Sequence, residues 1–194
     1  ELKFYIKMKN SENISSKSAK TRDKITYVPY EGVIAEDGNG ILAFFKLGAN
    51  IKKELVFPYA FEDEYEDDEG YHFFPLYMFF DETFQILTER DKKTAKLIYC
   101  THSFIFEGYE LMGMEFEKLL QIELLQFDYV HNNYYGPGNN INFRYYTVYY
   151  NLEHKLSIYV WRRKIREILI NEIFFQKKEY ENPEYLDRYK IIKL

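Results

Sequence analysis

Apolar and polar residues alternate through most of this chain, and the spacing turns helical only in its C-terminal half. Leu2, Phe4, Ile6 and Met8 interleave with Lys3, Tyr5, Lys7 and Lys9, the period-2 pattern of a half-buried strand. A polar stretch over 10–24, rich in Ser and Lys, follows as an exposed loop. Short β-type runs at 25–30, 32–35 and 41–47 are separated by Pro29 and by Asp37-Gly38-Asn39-Gly40. That tetrapeptide suits a tight hairpin, because Asn and Gly accept positive φ at low cost. Further strands are expected at 55–57, 73–80 and 84–87, with Pro75 arguing against a central place for the second. The segment 96–106 is apolar on both faces, as expected of a strand covered on each side.

From residue 114 the period changes. Phe116, Leu119, Leu120, Leu124 and Phe127, widened by Ile122 and Leu125, predict a well-buried helix over 114–131, ended by Asn132-Asn133 and Gly136-Pro137-Gly138. Two strands at 143–150 and 155–161 form a hairpin around Asn151-Leu152-Glu153-His154. Ile165, Ile168, Leu169 and Ile173 then predict a second helix over 162–180, stopped at Asn182-Pro183. Strands first and helices last is the order of an α+β fold: a mainly antiparallel sheet with two longer helices in the C-terminal half. Phe116, Leu120, Leu124 and Phe127 are expected to share the buried face of the first helix. No repeat, heptad array or shift of composition divides the 194 residues, so a single α+β domain over 1–194 is expected.

Composition narrows the chemistry. Hydrophobic residues make up 46% and charged residues 29%, the balance of a chain that folds. Tyr (20) and Phe (17) are abundant, which an AT-rich coding bias and the filling of a core both explain. Cys100 is the only cysteine, so no disulfide forms within the chain; in the apolar run Leu97-Ile98-Tyr99-Cys100 it is expected to be a buried, unreactive thiol. No apolar stretch is long enough for a membrane span. The sequence starts at Glu1 with no signal-peptide pattern, so a cytoplasmic address is expected, with a cleaved export signal as the alternative.

The familiar catalytic patterns are missing. Gly38 and Gly40 are followed by Ile41, Leu42 and Ala43 and no helix, which fails the context of a dinucleotide site, and there is no Gly-Lys-Ser or Gly-Lys-Thr. Ser103 does not lie in a Gly-x-Ser-x-Gly elbow. His72, His102, His131 and His154 are scattered without metal-ligand spacing, and an EF-hand register through Gly70 would begin on Tyr65 and end on Leu76. No cofactor and no metal are expected. An enzyme assembled only by folding would draw on groups such as Glu115, Glu117, Glu123, His102 and His131, each of which solvated surface charge explains equally well.

One constellation stands apart. Residues 54–89 hold eleven carboxylates and no Lys or Arg, and seven of them, Glu62, Asp63, Glu64, Glu66, Asp67, Asp68 and Glu69, fall within eight positions. Tyr65 interrupts the run, and Phe61 and Tyr71 border it. A solvated, solubilising loop explains it. So does a docking surface for a basic protein, with the rings as anchors and the charge steering association. In character only, and on no residue motif, a compact acidic domain without a catalytic signature resembles a bacterial immunity protein or antitoxin. The resemblance implies a non-enzymatic partner-binding module whose basic partner is a toxin. The rival is a nucleic-acid-binding protein using Tyr145, Tyr146, Tyr149, Tyr150 and Tyr159 with Arg162, Arg163, Lys164 and Arg166, against which the net charge of −5 counts.

Overall fold

The computed structural model describes residues 23–57, 61–63, 76–89, 91, 93–136, 144–171, 182–188 and 190–194. Along the chain these form β1 (Lys24–Val28), β2 (Gly32–Glu36), β3 (Leu42–Lys46), β4 (Phe61–Asp63), β5 (Leu76–Phe79), β6 (Phe84–Thr88) and β7 (Ala95–Cys100). There follow β8 (Ile105–Phe106), β9 (Tyr109–Glu110), a one-turn helix α1 (Phe116–Leu119), β10 (Tyr129–Gly136), β11 (Arg144–Asn151), β12 (Leu156–Trp161), β13 (Lys164–Asn171), helix α2 (Pro183–Arg188) and β14 (Ile191–Lys193). Strand makes up 50% of the described residues and no described helix reaches seven residues, so the protein is mainly β and the expected α+β class is overturned.

The strands form two sheets. The first is five-stranded, ordered β3-β2-β1-β8-β9, and antiparallel except where β8 joins β1 in parallel. The second is nine-stranded and antiparallel throughout, ordered β14-β10-β11-β12-β13-β7-β6-β5-β4. Period-2 alternation sends Ile25 and Tyr27 of β1, Val33 and Ala35 of β2, and Ala43 and Phe45 of β3 into one core. Tyr77 and Phe79 of β5, Phe84 and Ile86 of β6, Ile98 and Cys100 of β7, and Ile158 of β12 belong to that same core. Phe45 meets Phe79 and Phe84 there, and all three ring centroids are 5.5 Å apart. On the other face of the large sheet Tyr129, Tyr146, Val148, Tyr150 and Ile191 make a smaller core with Leu186 of α2.

The hairpins at Asp37–Gly40 and around Asn151 stand where the sequence predicts them, but neither long helix is found among the described residues. In place of a helix over 114–131 the chain has α1, a series of turns and the start of β10. Leu120 and Leu124, expected in the core, are 58% and 62% exposed, while Phe116 and Phe127 are half-buried. The buried residues are Leu119, Ile122 and Leu125, spaced by three, and the backbone bonds from Ile122 N to Leu119 O (3.0 Å) and from Leu125 N to Ile122 O (3.0 Å) follow the same step. Three-residue turns bring every third side chain to one side, a spacing that overlaps the helical one.

The described part of 162–180 is β13 rather than a helix. Opposite Tyr159 and Val160 the register shifts, with Tyr159 paired to Glu167 and Val160 to Ile165, so Arg166 is the extra residue of a bulge. The bulge resets the alternation, so Ile165, Ile168 and Ile170 all enter the core, and the step of three from 165 to 168 imitates a helix. Residues 55–57 form no strand, and the segment 96–106 is divided, β7 ending in one sheet and β8 beginning in the other. The expected strand at 2–8 and the loop over 10–22 lie outside the described residues.

Replacing Leu119 with Ala is expected to cost about 2 to 5 kcal/mol, and replacing Leu120 with Ala less than about 0.5 kcal/mol. Denaturant titration of both variants checks this, and the reverse order would restore the helix.

Candidate functional site

Phe61, Glu62 and Asp63 form β4, the outermost strand of the large sheet, paired with Met78, Tyr77 and Leu76. Glu64, Tyr65, Glu66, Asp67, Asp68, Glu69 and Tyr71 lie outside the described residues, as does His72. The connection that carries them is bounded, because it leaves the sheet at Asp63 and re-enters at Leu76, and those two residues face each other across the ladder. It therefore departs from one edge and one end of the sheet. Leu76 is level with Leu87, Leu97 and Asn171 along the successive pairings, so the opposite end of β13, at Lys164, lies at the other end of the sheet.

The titratable groups proposed for an enzyme do not converge. Glu115, Glu117, Glu123 and His102 are exposed, and His131 is half-buried in β10. Glu117 Oε1 accepts from Arg163 Nη2 at 2.6 Å and from Nε at 2.9 Å. Among the described residues no group of three His, Cys, Asp or Glu side chains could hold a metal ion. Cys100 is fully buried, and burial pushes its thiol well above the ordinary range, away from the reactive thiolate.

Folding builds three polar clusters that the sequence does not announce. Tyr27 of β1 donates its hydroxyl to the carbonyl of His154 at 2.9 Å, and burial pushes this phenol up to about 12. Tyr30 stacks on the His154 ring at 5.3 Å and donates to Glu153 Oε1 at 2.9 Å. Phe106 meets the same imidazole edge-on, so His154 sits in a cage of rings with its buried Nδ1 making no hydrogen bond. In the second cluster Glu110 accepts from Ser103 Oγ at 2.7 Å and from the backbone N–H of Phe104 and Met112. In the third, Glu167 accepts the Tyr146 hydroxyl at 2.6 Å and a hydrogen bond from Tyr99, whose phenol is driven up first by burial and then by this carboxylate.

These contacts serve the fold. The Tyr27 bond joins residues 127 positions apart and ties the first sheet to the β11–β12 turn. Glu110 supplies acceptors to backbone where the chain passes between sheets. Ser103 donates to the Glu110 carboxylate and not to a histidine, so it is not part of a Ser–His pair among the described residues. The tyrosines of the rival reading are also largely committed. Tyr146 and Tyr150 are buried, and Tyr149 stacks on Phe116 at 4.2 Å, which leaves Tyr145 as the exposed ring of β11. Comparison with protein-family models, with curated proteins and with solved structures finds nothing that matches this chain.

Two measurements check this reading of the buried groups. Cys100 is expected to react with a thiol reagent in the native state only as fast as the core opens, far below the rate of the unfolded chain. His131 is held below its ordinary imidazole value by burial alone. Its neutral form is therefore favoured by folding, and the stability involved is intact above about pH 6.5 and falls as the pH drops through the folded value. His131→Gln is expected to flatten the acid side of a stability–pH curve relative to the parent, and identical curves would show that His131 contributes nothing.

Proposed function

We propose that this chain is a non-enzymatic protein-binding module, of immunity or inhibitor type, that docks a basic protein through the acidic edge of its large sheet. The observation that supports the reading is that the run joins the two strands of the outermost hairpin, whose described ends are Asp63 and Leu76. Among the described residues β4 has a strand neighbour on one side only. An open edge invites a further strand, and Glu62 and Asp63 decide which kind. A second β4 would set carboxylate against carboxylate. A basic segment would be attracted, and relief of the self-repulsion along the run would add to binding.

Reversal of charge at Asp63, Glu66 and Asp68 to Lys tests the reading. A partner captured from the source organism should associate with this triple variant at least about tenfold more slowly than with the parent at low salt, and the difference should shrink as salt is raised. Equal association rates at low salt would reduce the run to a solubilising feature.

A further inference from the structure

The cations that the sequence assigns to a helix start form instead the tip of the β12–β13 hairpin, and their arrangement is unusual for a turn. Trp161 and Lys164 are the last paired residues, and Arg162 and Arg163 make the two-residue connection with φ of 51° and 62°. A two-residue turn with both φ positive is the place for Asn-Gly, because bulky side chains are strained there. The Arg162 guanidinium lies 4.4 Å from the centre of the Trp161 ring, and that of Arg166, the bulge residue, lies 5.7 Å from it. Arg166 Nε is buried with no hydrogen-bond partner, so only its Nη groups remain for a ligand. The carboxylate next to it in sequence, Glu167, is engaged by Tyr146 and Tyr99. Glu117 binds Arg163 and Glu115 stands opposite Lys164 in an isolated bridge, but no described carboxylate makes an ion pair with Arg162 or Arg166.

We propose that this hairpin tip binds a phosphate group through the guanidinium groups of Arg162 and Arg166, both set against Trp161. Two guanidinium groups set against one indole offer several donors to an oxyanion with several acceptor oxygens, and a dianionic phosphate monoester gains more from two cations than a single carboxylate does. A nucleic-acid strand is disfavoured, since Tyr146, Tyr149 and Tyr150, the rings of β11 on which bases would stack, are taken up in packing. The site lies at the end of the sheet opposite the attachment of the acidic run, so it does not depend on the reading of that run.

Trp161 is the only tryptophan, which makes its fluorescence a direct reporter of the site. Inorganic phosphate is expected to change the emission saturably, with half-saturation on the order of 1 mM, while chloride at matched ionic strength does not. Saturation by inorganic phosphate points to a small phosphate ligand, and saturation by a phosphoserine peptide alone points to a phosphorylated protein; either supports the proposal. Arg162→Gln with Arg166→Gln should weaken the response at least tenfold. Because that pair sits on a bulge, a second variant guards against misfolding: Arg162→Asn with Arg163→Gly should raise the thermal midpoint by relieving the turn and still weaken phosphate binding. The proposal is overturned if the parent shows no saturable response to either phosphate probe, if the response persists unchanged in these variants, or if only an unphosphorylated-end oligonucleotide saturates it.

Discussion

The contact on which both sheets depend is that of Phe45 with Phe79 and Phe84. One ring comes from the small sheet and two from the large one, all fully buried, at mutual distances of 5.5 Å. Burying each ring stabilises by roughly 1.5 to 3 kcal/mol, and each well-set pair adds about 0.5 to 1.5 kcal/mol. A five-stranded sheet with one apolar face has no independent use for that face, so this layer is what makes the two sheets one structure. Its geometry reaches back to the backbone. Gly32 stands opposite Lys46, and a Cβ there would lie 2.1 Å from the Phe45 carbonyl oxygen, so the close approach of β2 to β3 that seats Phe45 requires glycine.

A second set of contacts closes the same interface from the side. Tyr27 stacks on Phe104 and Phe106 at 5.8 and 5.7 Å and bonds the carbonyl of His154 across the gap between sheets. The chain crosses between the sheets once in this region, from β7 to β8, and Glu110 satisfies the backbone of the crossing. The buried Ser103 and His154 therefore lie where the ladders break off. That is where backbone donors need side-chain acceptors, and it accounts for a buried Ser103 and a buried His154 without assigning chemistry to either.

The hairpins were legible because the signals that specify them are local. Asp37 Oδ1 accepts from the N–H of Asn39 and Ile41 within the turn itself, and the alternation on either side of Asn151 is unbroken. The two helices were misread because a step of three or four is ambiguous. At 119, 122 and 125 it marks successive turns, and at 165 and 168 it marks a strand with one residue inserted at Arg166. Only the partner strand distinguishes a bulge from a helix, and the partner is set by tertiary pairing. For the candidate sites the division is similar. The acidic run and the basic cluster are visible in composition. The placement of Arg162 and Arg166 on Trp161 is not, because it depends on a turn that the helical reading removes.

The large sheet also determines how those two charged segments act. From the level of Asp63 to that of Arg163 the chain crosses from β4 to β13 and runs the length of β13, a diagonal on the order of 30 Å by strand spacing and rise. Charges in physiological salt are screened over about 8 Å, so Asp63 and Arg163 do not neutralise each other within one molecule. A ligand arriving at the hairpin tip meets the field of Arg162 and Arg166 first and little of the net charge of −5. The overall acidity of the chain is thus a poor guide to what either end attracts. Position along the sheet, more than overall acidity, decides which charges an approaching ligand meets.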